Sequence, residues 1–187
     1  MRIRKDDPRS ADLAVAVLRS SSVAVLPTDT IYGFSGIVPA SHARIVELKG
    51  RDEGKPFIEL VSSVDEAERI TGPIPAAFRS YWPGPLTLIL RTGAGTTAYR
   101  CPGDPWLRGI IARVGAPIYS TSVNRAGETP LSDVPSIEEA FGPSIDLIVD
   151  GGNFLEVLPS TIVDLSGEKP RLVRQGALVL DESLFQA

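Results

Sequence analysis

An α/β fold built on a twisted, open sheet of mixed strand direction is what this sequence predicts, and three observations predict it. Short apolar runs bounded by Gly and Pro alternate with segments of helical periodicity along the whole chain. Near the C-terminus two strand-like runs, residues 160–165 and 172–174, follow one another without an intervening helix, which favours mixed over purely parallel pairing. The 187 residues, 43% of them hydrophobic, suffice to bury a substantial core, and no repeat or long linker divides them, so one domain spanning 1–187 is expected.

The elements follow in order. Residues 1–8 are basic and then acidic, with no apolar signal core. Ser10 or Asp12 starts a helix to Arg19, with Leu13, Val17 and Leu18 near one face. The strand 23–26 then runs into Pro27-Thr28-Asp29-Thr30-Ile31-Tyr32-Gly33, where an apolar segment ends abruptly in two hydroxyls, a carboxylate and a phenol. Pro27 ends regular pairing and Gly33 permits backbone geometry that a side chain would resist, so this cluster is expected at a strand end, where polar groups can face a ligand. A polar turn is the plainer reading of the octet alone. Ser41 is the expected N-cap of a helix to Lys49, with Ile45 and Leu48 as its apolar stripe.

Residues 57–61 read as a strand and 64–70 and 74–81 as helices, the second stopped by Trp82-Pro83-Gly84-Pro85. Strands at 86–90 and 99–101, a helix at 105–114 and a buried strand at 117–120 follow. That last strand enters Thr121-Ser122-Val123-Asn124, repeating the pattern of an apolar run ending in hydroxyls. A helix at 136–141 and a strand at 147–149 closed by Asp150-Gly151-Gly152 precede the two C-terminal strands.

Composition excludes several functions. Cys101 is the one cysteine, so there is no internal disulfide and no zinc spacing; a buried, inert thiol in a reducing compartment is expected. The apolar runs are too short to span a bilayer, which predicts a cytoplasmic protein with no membrane partner. The net charge of −4 provides no global field for nucleic acid, although a local basic groove from Lys49, Arg51, Lys55 and Arg100 is compatible with it. His42, the only histidine, lies on an amphipathic helix, and no Gly-x-Ser-x-Gly elbow, Walker loop or dinucleotide fingerprint is present. No metal ligand set is assigned.

What remains is a set of polar clusters. Lys49-Gly50-Arg51 gathers cations that suit phosphate oxygens, or that simply complement a helix C-terminus. Ser120, Ser122 and Asn124 offer donors and acceptors to a nucleotide or an amino acid, or form a hydroxyl-rich turn; Ser160 and Arg174 carry the same alternatives.

Taken in order, Pro27-Thr28-Asp29-Thr30-Ile31-Tyr32-Gly33, Lys49-Gly50-Arg51, Trp82-Pro83-Gly84-Pro85-Leu86-Thr87-Leu88, Ser122-Val123-Asn124 and Ser160-Thr161-Ile162-Val163-Asp164, closed by Arg174 and Gly176, resemble the YrdC-like threonylcarbamoyl-AMP synthase family in its short, single-domain form. The resemblance implies a YrdC/RibB-like sheet with a large concave cavity. It also implies an ATP-dependent nucleotidyltransferase that joins L-threonine, bicarbonate and ATP into threonylcarbamoyl-adenylate and pyrophosphate, for modification of adenosine 37 in tRNA.

By motif, Thr28, Thr30, Tyr32, Arg100, Ser120 and Ser160 would meet threonine, while Lys49, Arg51, Ser122, Asn124 and Arg174 would hold ATP. Lys49 and Arg51 would act on the phosphates, together with Mg2+ carried by the nucleotide. The implied partners are the tRNA threonylcarbamoyl-transferase complex and tRNA itself. A noncatalytic module of the same fold that binds tRNA or other double-stranded RNA is the alternative. A carbamoyl-adenylate site like that of hydrogenase-maturation carbamoyltransferases is disfavoured, because their acylphosphatase-like region and zinc-finger cysteines are missing. The chain departs from the family at Asp52-Glu53-Gly54-Lys55, which places two carboxylates beside the expected phosphate site, and at Gln175, where the family has proline.

Overall fold

The structure is a computed structural model and describes residues 1–50, 56–93, 95–154 and 157–186. The described strands form one sheet in the order β1-β8-β2-β3-β7-β4-β6-β5-β9-β10. In chain order these are β1 (Arg2–Arg4), β2 (Ala24–Leu26), β3 (Gly33–Ile37), β4 (Ile58–Leu60), β5 (Leu86–Thr92), β6 (Gly95–Arg100), β7 (Ile118–Ser122), β8 (Leu147–Asp150), β9 (Thr161–Asp164) and β10 (Arg171–Arg174). Pairing is mixed, as expected: β1 and β2 run parallel to β8, while β3 lies antiparallel between β2 and β7. The β9–β10 pair is antiparallel and irregular between Leu172 and Arg174.

Helices α1 (Ser10–Arg19), α2 (His42–Lys49), α3 (Val64–Thr71), α4 (Ala76–Arg79), α5 (Pro105–Val114) and α6 (Val134–Phe141) flank it. Their starts have chemical causes. Asp104 accepts from Trp106 N–H (3.1 Å) with Pro105 following, Asp133 accepts from Ser136 N–H (2.9 Å), and Ser63 accepts from Glu66 N–H (3.1 Å). Gly50, at φ 55°, adopts the left-handed turn that ends α2.

Where expectation and structure differ, the reasons are local. Residues 1–8 contain β1, an edge strand whose Arg2 and Arg4 hide its period around buried Ile3. β3 was not expected at all, because Gly-Phe-Ser-Gly-Ile is poor in β-branched residues and takes its place by pairing on both sides. Ser41 holds the N-cap position of α2 as expected but makes no side-chain capping bond; its hydroxyl donates to Ser21 O at 3.1 Å instead. The helix expected over 74–81 keeps only α4 because Pro75 occupies its N-cap. β6 begins at Gly95, earlier than expected, through a hairpin with β5.

Alternate residues of a strand face opposite sides of a sheet. The registers therefore place Gly33, Ile58, Arg100, Ser120, Ser122 and Ile162 on one face, and Phe34, Leu88, Tyr99, Tyr119 and Val163 on the other. The second face is covered between the edge strands, where Arg2, Arg4 and Leu172 stay exposed: α2 and α6 supply Ile45, Ile137 and Phe141, and α3 and α4 supply Ala67 and Phe78. On the first face, α1 and α5 cover only the part carrying Leu26, Leu60, Ile118 and Val149. Two residues beyond Ile118 comes Ser120. Where the apolar side chains give way to polar ones, the helices stop and the sheet face is left to a cavity.

Ile110 is fully buried in the α1–α5 layer. Ile110→Ala is expected to cost about 2–5 kcal/mol, from lost transfer energy and the cavity left behind, measured by denaturant unfolding.

Candidate active site

A cavity of about 820 Å³ opens on the first face of the sheet. Its walls come from the β2–β3 loop, the end of α2, the ends of β6 and β7, the loop after β7, the segment before β9 and the end of β10. It contains Thr28, Thr30, Tyr32, Lys49, Arg100, Ser120, Ser122, Asn124, Ser160 and Arg174, so the structure brings these ten candidates together. Arg51, Asp52, Glu53 and Lys55 lie outside the described residues. Among its described lining residues there are three cations and no Asp or Glu. Such a surface attracts anions.

The β2–β3 loop supplies one end. Leu26 pairs with Gly33, so residues 27–32 form the tip of a hairpin. Gly33 has a reason other than backbone freedom: a Cβ there would sit 2.8 Å from Ser120 Oγ on the neighbouring strand and displace that hydroxyl. Within the tip, Thr28 Oγ1 donates to Ile31 O (2.8 Å), accepts from Thr30 N–H (3.1 Å) and lies 2.9 Å from Thr30 Oγ1. Arg100 Nη1 donates to Thr30 Oγ1 at 2.9 Å, and Arg100 Nη2 is ion-paired with Asp29 Oδ1. Asp29 Oδ2 accepts Gly103 N–H at 2.8 Å. Burial pulls the Arg100 guanidinium below its usual range and Asp29 opposes that shift; arginine remains charged throughout.

Tyr32 is fully buried. Its phenol donates to Gly152 O (2.7 Å) and accepts from Gly151 N–H (2.9 Å), and its ring meets Phe154 edge-on at 4.8 Å. Burial raises its pKa. The phenol thus fixes the chain segment that brings Phe154 into the wall.

At the other end, Lys49 is 3% exposed, and its Nζ donates to Ser122 O (2.7 Å), Asn124 O (3.1 Å) and Asn124 Oδ1 (3.1 Å). Asn124 Oδ1 also accepts from Ser122 Oγ, while Nδ2 donates to Arg125 O and Glu128 O, both at 2.8 Å. Two donors and two acceptor sites are all an amide has, so the side chain of Asn124 is filled by its own loop. α2 and the loop after β7 are tied twice, because Ala126 N–H also donates to Lys49 O at 2.8 Å.

Ser160 shares a 2.8 Å hydroxyl contact with Thr87, and Arg174 grips Ser160 O through Nε (3.1 Å) and Nη2 (2.8 Å). Burial and then repulsion from Arg100 lower the Arg174 pKa, so the two cations feel one another across the site. Asp29, Thr87 and Gly103 received no role from the sequence. The available signal for Asp29 was its position between two hydroxyls in the hairpin tip, and for Thr87 its place in the Trp82–Leu88 motif; Gly103 carried none.

Among the described residues no group of three or more His, Cys, Asp or Glu could hold a metal ion, and no helix is long and apolar enough to cross a membrane. Cys101 is buried, its pKa pushed up to about 11 by desolvation, and His42 packs against Phe57 and Tyr119 at 5.3 and 5.6 Å. Neither is a nucleophile or base poised in the cavity.

Comparison with known proteins decides the family. A Sua5/YciO/YrdC family model, described as telomere recombination, matches residues 16–176. The chain belongs to the Sua5/YciO/YrdC family. Within that family, the threonylcarbamoyl-AMP synthase of Bacillus subtilis is 31% identical over 194 residues, covering 95% of this chain and 56% of the relative. That of Chromohalobacter salexigens is 35% identical over 181 residues, covering 87% of this chain and 96% of the relative. The chain thus spans about half the length of the B. subtilis relative and of the Pyrococcus abyssi one, and nearly all of the C. salexigens one. P. abyssi Sua5 in complex with L-threonine superposes with a TM-score of 0.84 at 29% identity, over 95% of this chain and 57% of that one. Escherichia coli YciO superposes with 0.82 at 26% identity, over 95% of each chain. The mixed ten-strand sheet is therefore the Sua5/YciO fold.

Proposed function

We propose that this Sua5/YciO/YrdC chain is an L-threonylcarbamoyladenylate synthase, a nucleotidyltransferase that condenses L-threonine, bicarbonate and ATP to threonylcarbamoyl-AMP and pyrophosphate. The observation that carries the reading is a wall with no Asp or Glu among its described residues and a cation at each end, Arg100 beside the Thr28–Thr30 tip and Lys49 beside the Ser122–Asn124 loop. The synthase relatives and the threonine complex of P. abyssi Sua5 support it.

The chemistry needs two anions brought together. The threonine amine adds to CO2 drawn from bicarbonate and loses a proton, giving a carbamate. A carbamate oxygen then attacks the α-phosphorus of ATP, forming a P–O bond as the bond to pyrophosphate breaks. No protein nucleophile is needed; the work is positioning and screening of negative charge. In this reading Arg100 takes the amino-acid carboxylate, Thr30 and Ser120 face its polar groups, and Ser160 is held for the same end by Thr87 and Arg174. Lys49 and Arg51 act toward the phosphates, Arg174 adds charge, and Ser122 and Asn124 shape the nucleotide end through Lys49. With no described carboxylate lining the cavity, Mg2+ would be held by the phosphates it arrives with, where it neutralises charge. The product would serve tRNA modification in the cytoplasm, with 1–187 acting as one domain.

Pyrophosphate release should require all three substrates together. Release indifferent to threonine, or tight salt-sensitive RNA binding without threonine-dependent turnover, would contradict the reading.

A further inference from the structure

The hydroxyls of the hairpin tip have a definite direction. Thr28 Oγ1 carries one proton, and its bond to Ile31 O at 2.8 Å uses it. The 2.9 Å contact between Thr28 and Thr30 must then be donated by Thr30. Thr30 in turn accepts from Arg100 Nη1, so protons point one way along Arg100, Thr30, Thr28 and Ile31 O. Thr28 is saturated, because both its lone pairs accept from Thr30, one from N–H and one from the hydroxyl. Thr30 keeps one acceptor site, suited to an N–H donor, while Arg100 keeps N–H groups suited to a carboxylate. Its Nε is buried without a partner among the described residues. An α-amino acid presents that pair of groups: an anion for Arg100 and an amine for Thr30.

The carboxylate-binding part of this arrangement depends on where Arg100 points, and Asp29 holds it there. Asp29 accepts from Arg100 Nη2 with one oxygen and from Gly103 N–H with the other, at 2.8 Å. It thereby ties the hairpin tip to the end of β6 and to the turn after it. The pair is enclosed, with side chains 5% and 17% exposed. A Cβ on Gly103 would come within 3.0 Å of Asp29 Oδ2, so the turn is shaped around this carboxylate. Asp29 is absent from the described cavity wall.

We propose that Asp29 is a positioning residue of the amino-acid end, which aims Arg100 and thereby fixes its donation to Thr30 and the N–H groups it keeps for a carboxylate. This rests on the synthase reading above.

The test compares the parent chain with Asp29→Ala and Asp29→Asn in pyrophosphate release, varying threonine and ATP separately. Misaiming a binding group by about an ångström costs on the order of 10–100-fold, so Asp29→Ala should raise the threonine KM by about tenfold or more. The ATP KM should stay within about twofold. Formate, a free carboxylate small enough for the vacated space, should lower the threonine KM of Asp29→Ala and not that of the parent. Asp29→Asn keeps an oxygen for Arg100 but turns an N–H toward Gly103 N–H; it should show the same split at about threefold or more, and it decides the matter if the alanine variant does not fold. A threonine KM within twofold of the parent, equal rises in both KM values, or formate without effect on Asp29→Ala would overturn the proposal while leaving the synthase reading intact. A parent chain with no threonine-dependent release would overturn both.

Discussion

Arg100→Ala is expected to lower kcat/KM for threonine by about 100-fold or more while changing the ATP KM by less than about threefold, since a desolvated charge pair lost at a carboxylate is worth a few kcal/mol. The effect should be this large because Arg100 has no substitute among the described cations of the cavity. It is enclosed, it donates to Thr30, and the cavity's other described cations sit elsewhere, Lys49 on the Ser122–Asn124 loop and Arg174 on Ser160. Some loss of stability should accompany it, about 1–3 kcal/mol, because Asp29 keeps only Gly103 N–H and Thr30 loses its donor. Steady-state kinetics with each substrate varied, alongside thermal unfolding, separates the two effects. Lys at this position should not restore activity, because a single ammonium cannot hold Thr30, Asp29 and a substrate carboxylate in one plane.

Lys49→Met should do the reverse, raising the ATP KM and destabilising the chain by about 3 kcal/mol. The methionine keeps an apolar stem for packing beside Phe34, where Nζ now lies 5.9 Å from the ring centre. It leaves Ser122 O, Asn124 O and Asn124 Oδ1 without their charged donor in a buried place. Because Asn124 is otherwise filled by Ser122, Arg125 and Glu128, the loop after β7 has no alternative way to satisfy these groups. Lys49 is therefore read as a residue with two duties, holding the nucleotide end of the cavity in shape and placing positive charge there. A normal ATP KM in a variant destabilised by that amount would leave only the first.

The helices were legible in the sequence where both a cap and an apolar stripe were present, as in α5, with Asp104 and Pro105 at its start and Leu107, Ile110 and Ile111 inward. β3 was not, because a strand whose neighbours on both sides supply its stability needs no β propensity of its own. The residues of the cavity were legible one by one, as hydroxyls and cations at the ends of apolar runs. Their division of labour was not. Nothing in Thr28-Asp29-Thr30 indicates that one hydroxyl is saturated within its own loop, or that Asp29 reaches across 71 residues to Arg100. Likewise Asn124 reads as a ligand-binding amide until its four hydrogen bonds are traced to its surroundings. Polar groups at the ends of apolar runs divide, in the folded chain, into those that keep free donors or acceptors toward the cavity and those whose bonds are spent on their neighbours.

The most direct test of the account is the identity of the product. When the chain is supplied with ATP, L-threonine and ¹³C-labelled bicarbonate and the mixture is quenched rapidly for mass spectrometry, the account predicts threonylcarbamoyl-AMP carrying the labelled carbon, in step with pyrophosphate. Pyrophosphate with no adenylate containing threonine, or such an adenylate without the label, would contradict it.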